Sequence, residues 1–169
     1  MQPLPKVKLR IATLEDAPFL WMLRNDGAVR KSLEKQAEVG YDDYVTSLTA
    51  VLKESGTTEI LIAIDPDEQP IGFVQLKYWN TDGSETNDIQ HSFAATIFIG
   101  ISRNYRGRGY GTATIVSASG RAVRIGAKSI IARVKIDNYK ALWSFDKANY
   151  RDSGEEKING IEYARMVYP

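Results

Sequence analysis

The feature that most constrains the fold is a β-rich run that leads through a glycine-rich turn directly into a helix. Phe93 to Ser102 predicts a strand, and Tyr110 to Gly126 predicts a helix whose small residues favour close packing on a sheet. Gly107, Gly109 and Gly111 lie at the junction. Backbone N–H groups at such a turn form a concave anion site, and the helix dipole adds positive potential. The sequence therefore predicts that this turn holds an anionic group where the helix begins.

The spacing of this turn differs from that of other phosphate loops. The pattern Arg106-x-x-Gly109-x-Gly111 lacks the lysine and hydroxyl of a nucleotide triphosphatase loop, and it lacks the full dinucleotide fingerprint. The glycine spacing alone is also compatible with an ordinary strand-to-helix turn that carries a solvated arginine cluster, because isolated glycine motifs are common.

The remaining periodicity predicts an alternation of strands and helices along the whole chain. A helix is expected to begin at Thr13 to Asp16 and to break at Asn25 to Gly27, and the polar stretch from Trp79 to Ser92 predicts a long loop. The other predicted elements are strands at 7–12, 59–64, 71–78, 129–136 and 161–168, and helices at 28–35, 42–54 and 138–149. This order predicts one α/β domain over residues 1–169, with a mixed sheet flanked by helices.

Composition excludes several classes of protein. The 169 residues include no cysteine and one histidine, which excludes disulfides, thiolate metal sites, thiol nucleophiles and histidine-rich metal centres. The formal net charge of +1 gives no indication of nucleic-acid binding. The first ten residues lack the apolar core of a secretory signal, and no stretch approaches the roughly 18 apolar residues of a membrane span. We therefore expect a cytoplasmic protein without a membrane partner and without a metal site.

Two segments together resemble a known family. The run Ile97-Phe98-Ile99-Gly100-Ile101-Ser102 followed by Tyr105-Arg106-Gly107-Arg108-Gly109-Tyr110-Gly111 resembles the acetyl-CoA signature of the GNAT superfamily of N-acetyltransferases. About thirty residues later, Asn138 with Ala141-Leu142 and Lys147-Ala148-Asn149-Tyr150 is similar to the family's second marker. The element order fits from residue 7 to the end. The resemblance implies a mostly antiparallel central sheet flanked by helices, with acetyl-CoA as cosubstrate.

The resemblance also implies which residues bind the cosubstrate. It places the CoA diphosphate on the main-chain amides of the loop and pairs the pantetheine arm with the edge of the preceding strand, where the fourth and fifth strands part. The residues concerned are Ile99, Ile101, Arg106, Gly107, Arg108, Gly109, Tyr110, Gly111 and Thr112. Asn138 is expected to contact the pantetheine or to orient the thioester, and as an asparagine before a helix it is equally suited to be an N-cap.

The proton-transfer groups of the family are missing. Phe145 stands where members often carry a tyrosine that protonates the thiolate, and Thr96 stands where a glutamate is frequent. Water, Ser144, Tyr139 or Tyr150 remain as proton donors. His91 is the first candidate for the base, since its unperturbed pKa of about 6.5 suits proton removal at neutral pH, and its alternative role is an exposed loop histidine.

The first helix carries a less specific resemblance. The stretch Trp21-Met22-Leu23-Arg24-Asn25-Asp26 with Val29-Arg30 resembles members that acetylate nucleotide-linked amino sugars or protein amino termini. This resemblance implies that Arg24, Asn25 and Arg30 contact the acceptor. The alternative interpretation is that they are a helix end with exposed basic residues. We expect an N-acetyltransferase that acts by direct attack of a small amine or a nucleotide-linked amino sugar, as a monomer or homodimer. The alternatives are acetylation of a protein terminus or lysine, and a non-catalytic CoA-binding module.

Overall fold

A single mixed sheet forms the centre of the molecule. The structure is a computed structural model that describes residues 2–53 and 56–169. Within these ranges seven strands join one sheet in the order β1-β2-β3-β4-β5-β7-β6. The strands are β1 Lys8–Ile11, β2 Thr58–Ile64, β3 Pro70–Trp79, β4 Ala94–Ile101, β5 Ser129–Lys135, β6 Arg151–Ile158 and β7 Ile161–Tyr168. The helices are α1 Ala17–Asn25, α2 Gly27–Ser32, α3 Tyr41–Lys53, α4 Tyr110–Ile125 and α5 Tyr139–Lys147.

Neighbouring strands are antiparallel except at the centre of the sheet, where β4 and β5 are parallel. Their pairing covers only Ala94–Thr96 against Ser129–Ile131. Beyond Thr96 and Ile131 the two strands no longer pair, although β4 continues to Ile101 and β5 continues to Lys135. The sheet therefore splits at its centre, and the facing edges of β4 and β5 carry backbone groups that are not bonded to each other.

Two apolar clusters fix the helices on opposite faces of this sheet. Alternate side chains of β4 and β5, such as Ile97, Ala132 and Val134, pack with Ile115 of α4 and Phe145 of α5. The other face packs against α1 and α3 through a second cluster, formed by Ala12, Ala17, Leu20, Leu48, Ile62 and Ile64. Because strand side chains alternate between faces, Phe98 of β4 and Arg133 of β5 lie on the α1–α3 face.

Most element predictions are confirmed within two or three residues, and a few are wrong. The segment after α5, for which the sequence predicted no element, contains β6, whose side chains are almost all exposed. Residues 33–35, predicted to continue the second helix, lie outside α2. Helical periodicity puts Val116 and Val123 on one face with Ile115 and predicts that they pack, but they are 44% and 48% exposed. The predicted end of the third helix at Glu54 lies outside the described residues.

Candidate active site

The split between β4 and β5 opens a cavity of about 640 Å³. Its lining comes from both faces of the sheet. Ala28, Val29 and Ser32 of α2 line one side, and the start of α4 with the first turns of α5 lines the other. The cavity therefore connects the two faces of the sheet between β4 and β5.

The glycine loop forms one end of this cavity. Gly107 and Gly109 have positive φ values of 71° and 84°, a conformation that glycine adopts at little cost. Helix α4 follows at Tyr110 and leaves its first amides without helical partners. A Cβ built on Gly111 lies 3.8 Å from Ile101 Cγ1 and 3.9 Å from Ser144 Oγ, both in residues that line the cavity. A side chain at position 111 would therefore extend into the cavity, whereas glycine leaves the backbone there open to it.

Arg106 joins the glycine loop to α2. Its Nε donates to the carbonyl of Ile101 at 2.8 Å, and its Nη2 donates to Asp26 Oδ1 at 2.6 Å. The same Asp26 oxygen accepts from the backbone amides of Ala28 and Val29, so that Asp26 is the N-cap of α2. Burial by itself raises the pKa of the Asp26 carboxyl, but the hydrogen bond from Arg106 and the two amides outweigh it and hold that pKa below its usual value. The two walls of the cavity are thereby tied together.

Aromatic residues support the loop from outside the cavity. The guanidinium of Arg108 lies 5.7 Å and 5.6 Å from the ring centroids of Tyr105 and Tyr110, and the two rings pack edge to face. Tyr105 also donates its hydroxyl to Asp65 at 3.2 Å, which links the loop to the turn after β2. Arg108 and Tyr110 do not line the cavity, whereas Arg106, Gly107, Gly109, Gly111 and Thr112 do.

Asn138 caps α5 and also lies in the cavity wall. Its Oδ1 accepts from the backbone amide of Ala141 at 3.3 Å and caps α5. The residue also lines the cavity, and its Nδ2 donates to no group in the described part of the chain. One end of the amide therefore starts the helix, and the other end is available to a ligand.

The hydroxyls proposed as proton donors occupy different environments. Ser144 lines the cavity and donates to the carbonyl of Lys140 at 3.0 Å. Tyr139 also lines the cavity, although it is 76% exposed. Tyr150 is buried behind the ring of Phe145, and its hydroxyl is bonded to Ser119 at 2.8 Å. Burial raises the pKa of Tyr150 far above its usual value, which makes this hydroxyl a poor acid. Tyr150 also does not line the cavity.

His91 lies away from the cavity. It belongs to a short 3-10 turn before β4, its side chain is 80% exposed, and its Nδ1 is 3.0 Å from Asp88 Oδ1. It precedes Ala94, where β4 and β5 are still paired, whereas the cavity begins at Ile97. The strand from Ala94 to Ile97 alone spans about 10 Å. The structure thus does not bring His91 together with the other predicted site residues.

The three predicted acceptor contacts hold a loop instead of lining the cavity. The loop from residue 33 to residue 40, between α2 and α3, presents its carbonyls to side chains of α1 and α2. Arg24 donates to the carbonyls of Lys35 and Ala37, and Arg30 donates to that of Gln36. Asn25 exchanges two hydrogen bonds with the backbone of Val39. All three side chains are half-buried, so they are also not the exposed residues of a simple helix end.

Several lining residues were not singled out from the sequence. Besides the α2 residues, they include Phe98, Arg133 and Lys135 on the α1–α3 face, and Lys140 and Trp143 on α5. Strand alternation predicts that Arg133 and Lys135 share a face of β5, whereas the register that puts Phe98 of β4 on the same face is seen only in the structure. The described residues include no group of three or more His, Cys, Asp or Glu side chains that could hold a metal ion, and no described helix is long and apolar enough to cross a membrane.

Solved structures share this architecture at low sequence identity. AAC(6′)-Ib in complex with ribostamycin and coenzyme A is 16% identical, with a TM-score of 0.80 over 96% of this chain and 92% of that one. Spermidine N-acetyltransferase from Vibrio cholerae, in complex with CoA and spermine, is 20% identical, with a TM-score of 0.79 over 96% and 95%. No curated protein sequence matches the chain significantly.

The likeness shows that this chain has the fold of these acetyltransferase structures. The model of the acetyltransferase (GNAT) family matches residues 16–149, which is most of the sequence. This chain belongs to the GNAT family, as the glycine-loop and Asn138 segments predict.

Proposed function

We propose that this protein is an acetyl-CoA-dependent N-acetyltransferase whose acceptor is a small primary amine or a nucleotide-linked amino sugar. The observation that carries the proposal is the cavity through the sheet, which joins a glycine-loop anion site on one face to an open pocket beside α2 on the other. Two substrates that enter from opposite faces meet there, as a direct transfer requires.

The cosubstrate fits the α4–α5 side of the cavity. The first amides of α4 and the positive-φ glycines provide backbone donors for a diphosphate, and no side chain stands between them and the cavity at Gly111. The edge of β4 at Ile99 and Ile101 is not paired with β5, lies in the cavity wall and suits an extended arm that carries amide groups; of its backbone groups, the Ile101 carbonyl already accepts from Arg106. Coenzyme A is present in the AAC(6′)-Ib and spermidine N-acetyltransferase complexes, which have the same fold.

Direct attack then requires little from the protein beyond orientation. The amine nitrogen attacks the thioester carbonyl, an N–C bond forms, the C–S bond breaks and the thiolate leaves with the electron pair, while the nitrogen gives up one proton to water. We propose that the free Nδ2 of Asn138, which lines the cavity, donates to the thioester carbonyl and orients it. A thiol of pKa about 8.5 leaves readily, and water or Ser144 can supply its proton. Effective orientation is worth about 7–11 kcal/mol of the barrier, far more than the absent acid.

An acceptor screen with thiol detection tests the proposal. The purified protein with acetyl-CoA is offered amines, amino sugars, nucleotide-linked amino sugars and peptides, and free thiol is measured against a sample without acceptor. We expect CoA release above that background with at least one small amine. Release with peptides alone indicates a protein acetyltransferase. Tight CoA binding without any release indicates a non-catalytic module and refutes the proposal.

A further inference from the structure

The charged side chains that line the cavity are all cationic. Within the described ranges they are Arg106, Arg133, Lys135 and Lys140, and no Asp or Glu contributes to the lining. Arg106 and Lys140 lie by the glycine loop and α5, where an anionic cosubstrate needs positive charge. Arg133 and Lys135 lie on the opposite face, beside α2. The acceptor side of the cavity thus carries positive charge of its own.

The contacts of these two residues separate their roles. The Lys135 ammonium donates at 2.8 Å to the carbonyls of both Lys31 and Leu33, so it holds the end of α2. Arg133 uses only its Nε, which donates to Glu156 Oε2 at 2.7 Å. Its terminal Nη atoms have no hydrogen bond to any group in the described chain. Because the side chain is 38% exposed, these donors are open to a ligand in the cavity.

A second guanidinium reinforces the charge at this place. Arg165 is the direct cross-strand neighbour of Arg133, and its Nε is 3.3 Å from the other oxygen of Glu156. One carboxylate therefore faces two guanidinium groups, which leaves one net positive charge. Glu156 also fixes both side chains through their Nε atoms, so that Arg133 presents its terminal donors in a set orientation.

We propose that Arg133 binds an anionic group of the acceptor, a carboxylate or a phosphate, while the acceptor amine reaches the thioester. The inference rests on the proposed function and narrows it, since it selects amines that also carry a negative charge. A guanidinium pairs with such a group through two parallel N–H donors. Polycations such as the aminoglycoside and spermine of the neighbouring complexes meet net positive charge at this side of the cavity and are poor acceptors here.

Matched acceptor pairs test the inference. Phosphoethanolamine is compared with ethanolamine, glucosamine 6-phosphate with glucosamine, and β-alanine with propylamine, while spermidine serves as the polycation. Binding to the CoA-loaded protein is measured by calorimetry, and turnover is measured by thiol release with acetyl-CoA. We expect at least one anionic member to bind tenfold more tightly than its neutral partner. The phosphate and carboxylate pairs show which anion the site prefers.

Variants assign the preference to Arg133. Arg133→Gln is expected to abolish the tenfold preference and to leave affinity for neutral amines and for acetyl-CoA unchanged. Arg124→Gln, at an exposed position on α4, is the control and is expected to leave both the anion preference and the affinities for neutral amines and acetyl-CoA unchanged. Thermal melting establishes that each variant is folded, and Arg133→Lys, which keeps the charge but loses the fork, replaces the glutamine variant if that does not fold.

The calorimetric binding measurement distinguishes failure of this inference from failure of the proposed function. Arg133-dependent binding of an anionic amine without turnover supports the site and counts against the transferase. Turnover of neutral amines or spermidine at least as efficient as that of the anionic partners overturns the inference and leaves the transferase standing. Equal weakening of anionic and neutral acceptors by Arg133→Gln also overturns it, since that result indicates a structural role.

Discussion

Replacement of Gly111 by leucine tests the cosubstrate site most directly. A Cβ at this position meets neighbours only at 3.8 Å and 3.9 Å, which are ordinary van der Waals distances, so the variant can fold. The remaining side-chain atoms then extend into the 640 Å³ cavity. A leucine here keeps a diphosphate from at least one of the first amides of α4. A hydrogen bond to a charged group is worth about 1.5–3 kcal/mol, and its loss weakens binding roughly 10- to 150-fold.

Stability is expected to change in the opposite direction. Leucine is a better helix former than glycine, so the free energy of unfolding is expected to stay level or to rise by up to about 0.8 kcal/mol. Calorimetric titration with CoA and thermal melting measure the two effects separately. Gly120→Leu is the matched control, since it lies on the same helix, and a Cβ there meets only the end of Arg124, at 3.4 Å. Unchanged CoA affinity in folded Gly111→Leu, or an equal loss in Gly120→Leu, refutes the assignment.

Three further variants test the other parts of the site. Phe145→Tyr places a hydroxyl at a cavity position and is expected to keep or raise turnover, and a marked fall in a folded variant shows that the site requires an apolar ring there. His91→Gln is expected to change turnover less than twofold because the residue lies outside the cavity, and a loss of 10²-fold or more restores it as the base. Asp26→Asn is expected to lower the free energy of unfolding by about 1–3 kcal/mol at pH 7, as judged by urea titration, because Arg106 and the α2 cap lose a carboxylate. The pKa of Asp26 is lower in the folded protein than in the unfolded chain, so its contribution to the free energy of unfolding is present above about pH 4. It is lost as the pH falls through the folded pKa, and the free energies of unfolding of variant and parent are expected to converge in acid.

The sequence predicted best where local chemistry and packing agree. The strand, glycine turn and helix around Gly109 were predictable because glycine spacing, β-branched residues and a small-residue helix all favour one arrangement. Strand β6 was missed because its run Arg-Asp-Ser-Gly-Glu-Glu-Lys-Ile is polar, and only pairing with β7 makes it extended. Sheet edges with solvent on both sides carry no hydrophobic pattern to detect.

Residues of the candidate site also differ in whether local sequence or long-range contacts determine their surroundings. Asn138 was predictable because its cap and its motif position depend on neighbours close in sequence. Arg133 and its partners depend on the register between β5, β7 and β6, which no local pattern gives. The role of Arg24 also depended on long-range contact, since its carbonyl partners lie 11 and 13 residues away in a loop without regular structure.

The hydrogen bonds that hold the loop from residue 33 to residue 40 have a consequence for how this family member can change. The arginine and lysine donors bind its carbonyls, and every amino acid supplies a carbonyl. The path of the loop is therefore specified by residues outside it, while the side chains of residues 35–38 are exposed and only Glu38 among them is seen in an ion pair, with Arg30. Substitutions at residues 35–38 are therefore expected to leave the path of the loop unchanged.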